Sequence, residues 1–368
     1  MNVVILRLNV GDFGKIGSYN VQEVGLGKSL MSYGCTVNVL YTHKDVKTVT
    51  KDETYDFVYY LPHKSFGLHG IIDVNLLSIF NPDAFILFSD NQLWAKNVIL
   101  WCNKQNIPCI HYFGGVLSNN KKIINQLYTK LILFRNRRSY EFSINIAKTK
   151  SVKSELEKHH IKCNGVINVG LDDSVLEDKR NLDVDIRKEL GLSDNDLIIL
   201  FVGRLAEDKR PLAALDILKE MLKRTPNVKL IMIGHGVMKS RIDNKILELG
   251  ISDKVIQINN VPYDEMYKYM VASDCCINLS HVEIFGMTIL ESMYYGLPVI
   301  AHSAPGPNEI ITNEESGFLL STDDCSVWCD KILTAINKRE SISNKAHERI
   351  KNSFIWRVIA KQYLDLLK

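Results

Sequence analysis

Short apolar segments alternate with amphipathic segments along the chain. In the first half, the apolar runs predict strands at Val3–Leu8, Thr36–Tyr41, Ala84–Phe88 and Pro108–Tyr112. Stretches with helical spacing between them predict helices at Glu23–Tyr33 and Leu93–Gln105. Strands that are apolar on both faces and alternate with helices are typical of a parallel sheet with crossover helices. The first half is therefore predicted to be a doubly wound α/β domain.

The same pattern restarts after a charged, Asp-rich stretch at residues 171–196. Five further strands are predicted, at Leu197–Val202, Val228–Ile233, Val255–Ile258, Cys276–Leu279 and Pro298–Ala301, with a helix at Leu212–Arg224. The restart predicts a second doubly wound domain, joined to the first near residues 170–195. Sheets of this kind bind ligands at the carboxyl ends of their strands, so we expect the site in a cleft between the domains.

Composition is that of an ordinary globular protein. The chain has 368 residues, of which 46% are hydrophobic and 24% charged, which is enough apolar surface for two cores. No apolar run approaches the roughly 18 residues that span a bilayer. The eight cysteines form no CxxC pair, which favours reduced thiols over a disulfide framework or a zinc site. We expect a cytoplasmic protein, with peripheral attachment to the inner face of the cell membrane as an option.

The net charge of +3 is unevenly distributed. Residues 1–165 hold 20 Lys and Arg against 12 Asp and Glu, whereas the remainder holds 25 against 30. The segment 121–138 carries six cationic residues and no acid, and its apolar residues fall on one helical stripe. That pattern is typical of a basic amphipathic helix on an anionic membrane surface. A core-facing helix with solvated lysines is the alternative, and both stay open. Nucleic-acid binding is disfavoured, because the basic segment has no interleaved aromatic residues.

Two features of the first half are ambiguous. Gly11, Gly14 and Gly17 follow the first strand at intervals of three, which disfavours a dinucleotide fingerprint but allows backbone amides to approach a phosphate. A plain turn explains the loop equally well. His111 ends the predicted strand Pro108–Tyr112, where it could face the cleft as a hydrogen-bond donor or base. A satisfied structural histidine is the competing interpretation.

The second half places two cations after its first strand. Gly203 allows the chain to turn at the end of Leu197–Val202, and Arg204 and Lys209 follow. Two fixed cations at a strand's carboxyl end could neutralise a diphosphate leaving group. For either residue alone, a solvated surface charge is the alternative.

The segment Ser280–Pro298 carries the clearest signal. Gly286 closes a turn and a helix is predicted to start at about Met287, so its free N–H groups could bind a phosphate. Glu283 precedes that helix and Glu291 lies about one turn inside it. Two such carboxylates could bracket a ligand by accepting hydrogen bonds from paired hydroxyls.

These motifs together resemble glycosyltransferase family 4. The pattern is a strand followed by Gly-Arg-x4-Lys, and then Glu-x-Phe-Gly-x4-Glu on a helix that is closed by Gly-x-Pro. The resemblance extends over nearly the whole chain and implies the GT-B fold, with two Rossmann-like domains facing across a cleft. It implies an acceptor-binding domain at 1–170, to which a C-terminal helix at 352–368 returns, and a nucleotide-sugar-binding domain at 171–351.

The resemblance also implies roles for single residues. Arg204 and Lys209 would hold the diphosphate, with Gly17 near it. Glu291 would bind the ribose. The transferred sugar would contact Glu283 and the backbone of Phe285, Gly286, Met287 and Thr288. His111 would lie by the sugar and the acceptor. Two departures from the family pattern are Arg210, where glycine often follows the lysine, and Ala304–Glu309, which replaces a double-glycine loop.

The implied reaction is transfer of a hexose or N-acetylhexosamine from a nucleotide sugar, expected to be a UDP-sugar, with retention of configuration. The acceptor would be a glycan or a lipid-linked molecule, as in polysaccharide biosynthesis. No metal or other cofactor is expected, and Asp183–Asp185 and Asp194–Asp196 are interpreted as solvated linker rather than metal ligands. A nucleotide-sugar epimerase and a non-catalytic nucleotide-sugar or membrane-binding protein are the alternative functions.

Overall fold

The computed structural model describes residues 1–10, 22–117, 123–172, 176 and 186–367. It divides into two compact units, Met1–Leu171 with Ile355–Lys368, and Asp172–Phe354. Three sequence features lie outside the described residues, namely the loop that contains Gly17, the pair Lys121 and Lys122, and Asp183–Asp185. The roles assigned to the two domains stay predictions.

The secondary structure follows the alternating pattern of the sequence. The strands are β1 Asn2–Arg7, β2 Thr36–His43, β3 Thr50–Lys51, β4 Val58–Pro62, β5 Lys64–Phe66, β6 His69–Ile71, β7 Ala84–Phe88, β8 Cys109–Phe113, β9 Ile144–Ala147, β10 Gly165–Val166, β11 Leu197–Val202, β12 Val228–Ile233, β13 Val255–Ile258, β14 Cys275–Asn278, β15 Val299–His302 and β16 Phe318–Leu320. The helices are α1 Gln22–Ser32, α2 Ala95–Lys104, α3 Ile123–Asn136, α4 Lys150–Lys158, α5 Ile186–Glu189, α6 Pro211–Met221, α7 Lys239–Leu249, α8 Met266–Ala272, α9 Met287–Tyr294, α10 Pro307–Ile310, α11 Cys325–Asn337, α12 Arg339–Ser353 and α13 Trp356–Leu367.

The first unit is built on an eight-stranded sheet in the order β10-β9-β8-β7-β1-β2-β4-β3. Every pairing in it is parallel except that of β3 with β4. The central strand β1 is apolar and buried over Val3–Leu6, as expected for a strand covered by helices on both faces. The chain order reverses between β1 and β7, so this is the position where a doubly wound sheet opens a crevice.

The second unit has a six-stranded, wholly parallel sheet in the order β13-β12-β11-β14-β15-β16. Counted within the unit, this is the order 3-2-1-4-5-6 of the Rossmann fold. The reversal falls between β11 and β14. The loops that leave these two strands therefore meet at the carboxyl edge, where ligands bind in this architecture. The predicted fold class, two Rossmann-like α/β domains, is confirmed.

Four short strands between residues 50 and 71 were not predicted. They are β3, β4 and the separate antiparallel pair β5–β6, and the β5 residues are exposed. β3 and β5 have only two or three residues and no buried face, so they carry no periodic apolar signal. β4 and β6 contain buried residues and were missed nonetheless. None of the described helices combines the length and apolar character needed to cross a bilayer.

Candidate functional site

The carboxyl edge of the second sheet joins a lysine to a glutamate. After β11, a 3-10 turn at Glu207–Lys209 leads to Arg210, whose left-handed backbone (φ 55°) directs the chain into α6. Lys209 Nζ lies 2.5 Å from Glu283 Oε2, and the two side chains are 23% and 13% exposed. Glu283 comes from the loop after β14, the strand next to β11. The topology thus brings together two residues that are far apart in sequence.

The ion pair is partly shielded and has a third member. Asn278, the last residue of β14, donates its side-chain amide to the same Glu283 oxygen at 3.4 Å. A half-buried ammonium group interacts strongly with any anion that replaces its partner, because solvent screens it less than at a fully exposed site. The arrangement is suited to exchanging the glutamate for a phosphate group.

The side chain of Arg204 is more exposed to solvent than that of Lys209. Its guanidinium bonds to Asp208 at 2.9 Å, and its side chain is 69% exposed. An exposed pair four residues apart contributes little to stability, at about 0.3–0.5 kcal/mol. Arg204 is exposed, but the structure places it in a separate ion pair from Lys209 and Glu283, and its role at the diphosphate stays a prediction.

Helix α9 begins where the sequence predicted. Gly286 precedes it with a φ of 102°, a conformation that strongly favours glycine. The amides of Ile289 and Leu290 donate to the Gly286 carbonyl. The amides of Met287 and Thr288 belong to the first turn, whose N–H groups have no acceptor further back in the helix. This helix end carries partial positive charge, and its first residue, Met287, follows Glu283 by four residues.

A contact that sequence reasoning missed holds this loop in place. The Gly306 amide donates to the Glu283 carbonyl at 2.9 Å. A Cβ atom at Gly306 would lie 2.1 Å from the Phe285 carbonyl oxygen, so only glycine allows this approach. The segment Ala304–Glu309, which departs from the family pattern, thus supports the backbone of Glu283 and Phe285. A glycine between two prolines was its sequence signal.

Glu291 is buried on α9, with a side chain only 2% exposed. Tyr263, in the loop after β13, makes a side-chain hydrogen bond with it. Burial, and then the Glu291 charge, raise the pKa of Tyr263, so the phenol stays protonated and donates to the carboxylate. Glu291 therefore keeps a fixed orientation at the carboxyl edge. Tyr263 was not singled out from the sequence.

A polar network flanks the lysine–glutamate pair. Arg210 donates to Asp323 Oδ1 at 2.6 Å and contacts His281 Nε2. His281 Nε2 also lies 3.0 Å from Asp323 Oδ1, and His302 Nε2 lies 3.8 Å from it. The hydrogen bond from Arg210 is the main reason that the pKa of Asp323 falls to about 2. The network comes from the loops after β11, β14, β15 and β16.

His111 does not occupy the predicted position. It is the middle residue of β8 rather than its last, and it is fully buried between the rings of Phe113 and Tyr140. Its Nε2 contacts Ser89 Oγ at 2.9 Å and the Asp90 carbonyl at 3.0 Å. His111 therefore does not lie at an accessible strand end, and its role beside the sugar and the acceptor stays a prediction. The geometry matches the alternative, a structural histidine.

The charged residues at the carboxyl edge of the first sheet are different ones. Arg7, at the end of β1, bonds to the fully buried Glu23 of α1 at 2.6 Å. Asp90, just after β7, accepts hydrogen bonds from the amides of Gly114 and Gly115 at 2.5 and 3.3 Å. Burial raises the pKa of Asp90, and the Gly114 amide and Arg7 oppose that rise. These residues lie at the switch point between β1 and β7 and were missed because each is isolated in sequence.

Comparison with known proteins gives its clearest match in the second unit. The family model described as "Glycosyl transferases group 1" matches residues 184–354. This segment of the chain is therefore similar to group 1 glycosyltransferase domains. It is 28% identical over 266 residues to an uncharacterised glycosyltransferase of Methanocaldococcus jannaschii, a match that covers 69% of this chain and 65% of that protein. These matches support the predicted resemblance to glycosyltransferases, most directly for residues 184–354.

Two further similarities concern the whole fold and a shorter segment. The chain superposes on Anabaena HepE in complex with UDP-glucose with a TM-score of 0.71 at 18% identity, covering 100% and 99% of the two chains, which shows the GT-B fold. It is 33% identical over 135 residues to alpha-monoglucosyldiacylglycerol synthase of Streptococcus pneumoniae, covering 37% and 31%. The matches span between about a third and about two thirds of these curated relatives.

A pH-dependent stability follows from the position of His111. Burial lowers the pKa of His111 to about 3, whereas the unfolded chain keeps a value near 6.5. The unfolded state therefore binds the proton first, and stability is lost as the pH falls below 6.5. In urea unfolding of the wild type, this group should remove about 2 kcal/mol between pH 7 and pH 5.

The variant His111→Gln isolates that contribution. Glutamine places an amide near the Nε2 position but does not titrate, so its unfolding free energy should change less over the same pH interval. The difference between the two proteins removes the contribution of other titrating groups. Equal pH dependence in both proteins would show that His111 is accessible to protons in the folded state.

The Gly306 contact predicts a selective steric effect. Gly306→Ala should lower the unfolding free energy of the glycosyltransferase domain by about 1–3 kcal/mol, because the added methyl group forces the Phe285 backbone to move. Gly203→Ala is the matched control, since its Cβ would meet only Lys209 Cγ at 3.8 Å. Equal thermal stability of the two variants would contradict the close approach.

Proposed function

We propose that this protein transfers a hexose or N-acetylhexosamine from a UDP-sugar to a glycan or lipid-linked acceptor, with retention of configuration and without a catalytic metal ion. The observation that carries the proposal is the Lys209–Glu283 pair, which lies beside the N-terminus of α9 at the switch point of the second sheet. A cation, a carboxylate and a helix end in this arrangement suit a sugar diphosphate.

A bound diphosphate would replace Glu283 as the ion-pair partner of Lys209. Lys209, the exposed Arg204 and the first amides of α9 then supply three sources of positive charge for the phosphate oxygens. Charge-assisted hydrogen bonds of this kind strengthen as the leaving group gains negative charge. They would supply the stabilisation that a metal ion provides in other transferases, which supports a metal-independent reaction.

The two glutamates would have separate roles. Release from Lys209 leaves the Glu283 carboxylate free to accept hydrogen bonds from hydroxyls of the transferred sugar. Glu291, held by Tyr263, would accept from the ribose hydroxyls. The expected UDP donor is supported by HepE, whose structure has the same fold and holds UDP-glucose.

In the transfer step, the bond between the anomeric carbon and the diphosphate oxygen breaks, and its electron pair leaves with the diphosphate. Positive charge develops at the anomeric carbon, as in other oxocarbenium-like sugar chemistry. The acceptor hydroxyl then bonds to that carbon from the face of departure, and its proton passes to the leaving phosphate. No protein nucleophile takes part in this route.

A surface on the first unit supports a membrane-associated acceptor. On helix α3, four apolar side chains face the solvent and are each between 57% and 80% exposed, namely Ile124, Leu127, Leu131 and Phe134. Its opposite face buries Ile132 and Leu133. The apolar stripe predicted from the sequence therefore lies on the surface, and the core-facing alternative is wrong for these residues.

The basic residues around α3 fall into two groups. Arg135 donates to the Leu93 carbonyl at 2.6 Å and so fastens the helix to its own unit. Lys130, Arg137 and Arg138 are exposed beside the apolar row. The β5–β6 pair adds exposed Phe66 and Leu68, and the Phe66 ring lies 6.0 Å from that of Tyr128 on α3. Exposed apolar groups bordered by cations suit an anionic membrane surface.

The donor proposal is tested by nucleotide release from a panel of UDP-, GDP- and dTDP-sugars, with and without a bacterial membrane extract. One donor should release nucleotide, and the extract should stimulate it. Lys209→Ala should lower the rate by about 100-fold or more, because a charge that stabilises the leaving group is lost. Glu291→Ala should raise the donor KM.

Lys223→Ala provides the control, since Lys223 is an exposed lysine that pairs only locally with Glu220. It should react like the wild type. Donor binding without release under any condition would favour a non-catalytic binding protein. Conversion of the donor into an isomer without acceptor would favour an epimerase.

The membrane proposal is tested by sedimentation with phosphatidylglycerol vesicles. The triple variant Leu127→Ser, Leu131→Ser and Phe134→Ser should bind at least about 10-fold more weakly, because it removes most of the apolar surface that enters the lipid. Added salt should weaken binding of the wild type, because Lys130, Arg137 and Arg138 are exposed.

The matched control replaces three exposed apolar residues elsewhere, Ile79, Val237 and Leu247, with serine. It should bind vesicles like the wild type. Equal loss in both triple variants would mean that the exposed row on α3 is not a membrane surface.

A further inference from the structure

The flanking network of the second unit contains the donor set of a metal site. His281, His302 and Asp323 direct ligand atoms within 4.8 Å of one another. The Asp323 Oδ1 atom lies 3.0 Å from His281 Nε2 and 3.8 Å from His302 Nε2. Ligands bound at about 2.0–2.1 Å to one tetrahedral ion are separated by roughly 3.3 Å. The three groups therefore need only small movements to converge on an ion.

A hydrogen bond outside this set orients one of the ligands. His302 Nδ1 lies 3.1 Å from the Ser303 carbonyl oxygen, which can only accept. In the neutral ring, the proton is thus on Nδ1, and the lone pair of Nε2 points towards Asp323. Histidines that bind metals characteristically donate their second nitrogen to such a partner.

We propose that His281, His302 and Asp323 form a binding site for a divalent transition-metal ion of the zinc class, which Arg210 keeps closed in the metal-free protein. Two imidazoles and one carboxylate favour zinc over magnesium or calcium, which prefer oxygen ligands. With three protein ligands, the fourth coordination position of a tetrahedral ion stays open for water or another small molecule. None of these three residues is among those proposed above to bind the nucleotide sugar.

Arg210 is the group that opposes metal binding. Its guanidinium bonds to Asp323 and contacts His281, so an entering ion must displace it from both. The displacement is feasible because Arg210 is already 26% exposed and can turn into solvent. His281 and Asp323 are 43% and 55% exposed, which gives an ion direct access.

The site is coupled to the donor residues through the chain. Arg210 follows Lys209 directly, and His281 precedes Glu283 by two residues. A metal ion that releases Arg210 and shifts His281 to make room between it and Asp323 would move the segments that carry both members of the ion pair. This regulatory consequence rests on the proposed function, whereas the metal site itself does not.

The experiment is a zinc titration of the full chain in competition with a chromophoric chelator, without donor sugar. The wild type should bind one equivalent tightly. His302→Ala should bind at least about 100-fold more weakly, and Arg210→Ser about 10-fold more tightly because the competing cation is gone. Circular dichroism would verify that both variants fold.

Two comparisons exclude other zinc ligands. His159→Ala should leave the tight site unchanged, because His159 lies on the first unit. Zinc that binds the cysteines would remain in His302→Ala, so the difference between wild type and variant isolates the proposed site. Unchanged affinity in His302→Ala, or no saturable binding by wild type and Arg210→Ser, would overturn the proposal.

The regulatory consequence is measured separately as the donor KM with and without one equivalent of zinc. Zinc should change KM in the wild type and leave it unchanged in His302→Ala, whose altered residue lies outside the proposed donor site. An equal zinc effect in both proteins would overturn the coupling. If no donor is turned over, the proposed function fails, but the zinc titration still decides the metal site.

Discussion

The ion pair between Lys209 and Glu283 is the interaction on which the candidate site depends. The two residues are 74 positions apart and meet only because β11 and β14 are neighbours at the reversal of strand order. Their partial burial keeps the mutual attraction stronger than in bulk water. The same burial means that either charge left alone is costly, so a ligand that takes one partner must also satisfy the other. A sugar diphosphate meets both conditions, since it carries phosphate oxygens for the lysine and hydroxyls for the glutamate.

This requirement explains why the surrounding loops are so closely constrained. Glu283 can pair with Lys209 only if its loop is held against the sheet, and the Gly306 amide provides that support through the Glu283 carbonyl. Gly286 then turns the chain so that α9 begins at the next residue, four positions after Glu283. The carboxylate and the helix end are therefore positioned by one rigid turn, and their spacing does not depend on flexible side chains.

Local and non-local features were predictable to different degrees. The bounds of β7, β11, β12 and β13 match the predictions. For β7, β11 and β12 the reason is that largely buried strands are nearly continuous apolar runs, whereas β13 is only partly buried. The start of α9 was predictable because Gly286 marks it locally. The support from Gly306 and the hydrogen bond of Tyr263 were not, since each depends on an approach between loops that no sequence interval encodes.

His111 shows how a one-residue shift changes an interpretation. The prediction ended β8 at Tyr112, which placed His111 near its carboxyl end. The strand in fact extends to Phe113, and the aromatic side chains of Phe113 and Tyr140 enclose the imidazole. The apolar stripe of α3 was correctly identified from the sequence. Whether that stripe faces the solvent depends on how the helix is held, through the hydrogen bonds of Arg135 to residue 93 and of Asn136 to residue 92. Periodicity alone does not contain that information.

The two sheets use buried charge in different ways at equivalent positions. In the first unit, Glu23 is fully buried against Arg7 at the switch point. Removing one member of such a pair typically costs about 3–5 kcal/mol, so the pair is suited to holding α1 on β1 rather than to exchange. In the second unit, Lys209 and Glu283 retain 23% and 13% exposure. An anion from solvent can reach this pair and replace one carboxylate with phosphate at a much smaller cost. Arg7 and Lys209 are similarly exposed, at 20% and 23%, so it is the greater exposure of Glu283 than of Glu23 that makes the second edge the stronger candidate for donor binding.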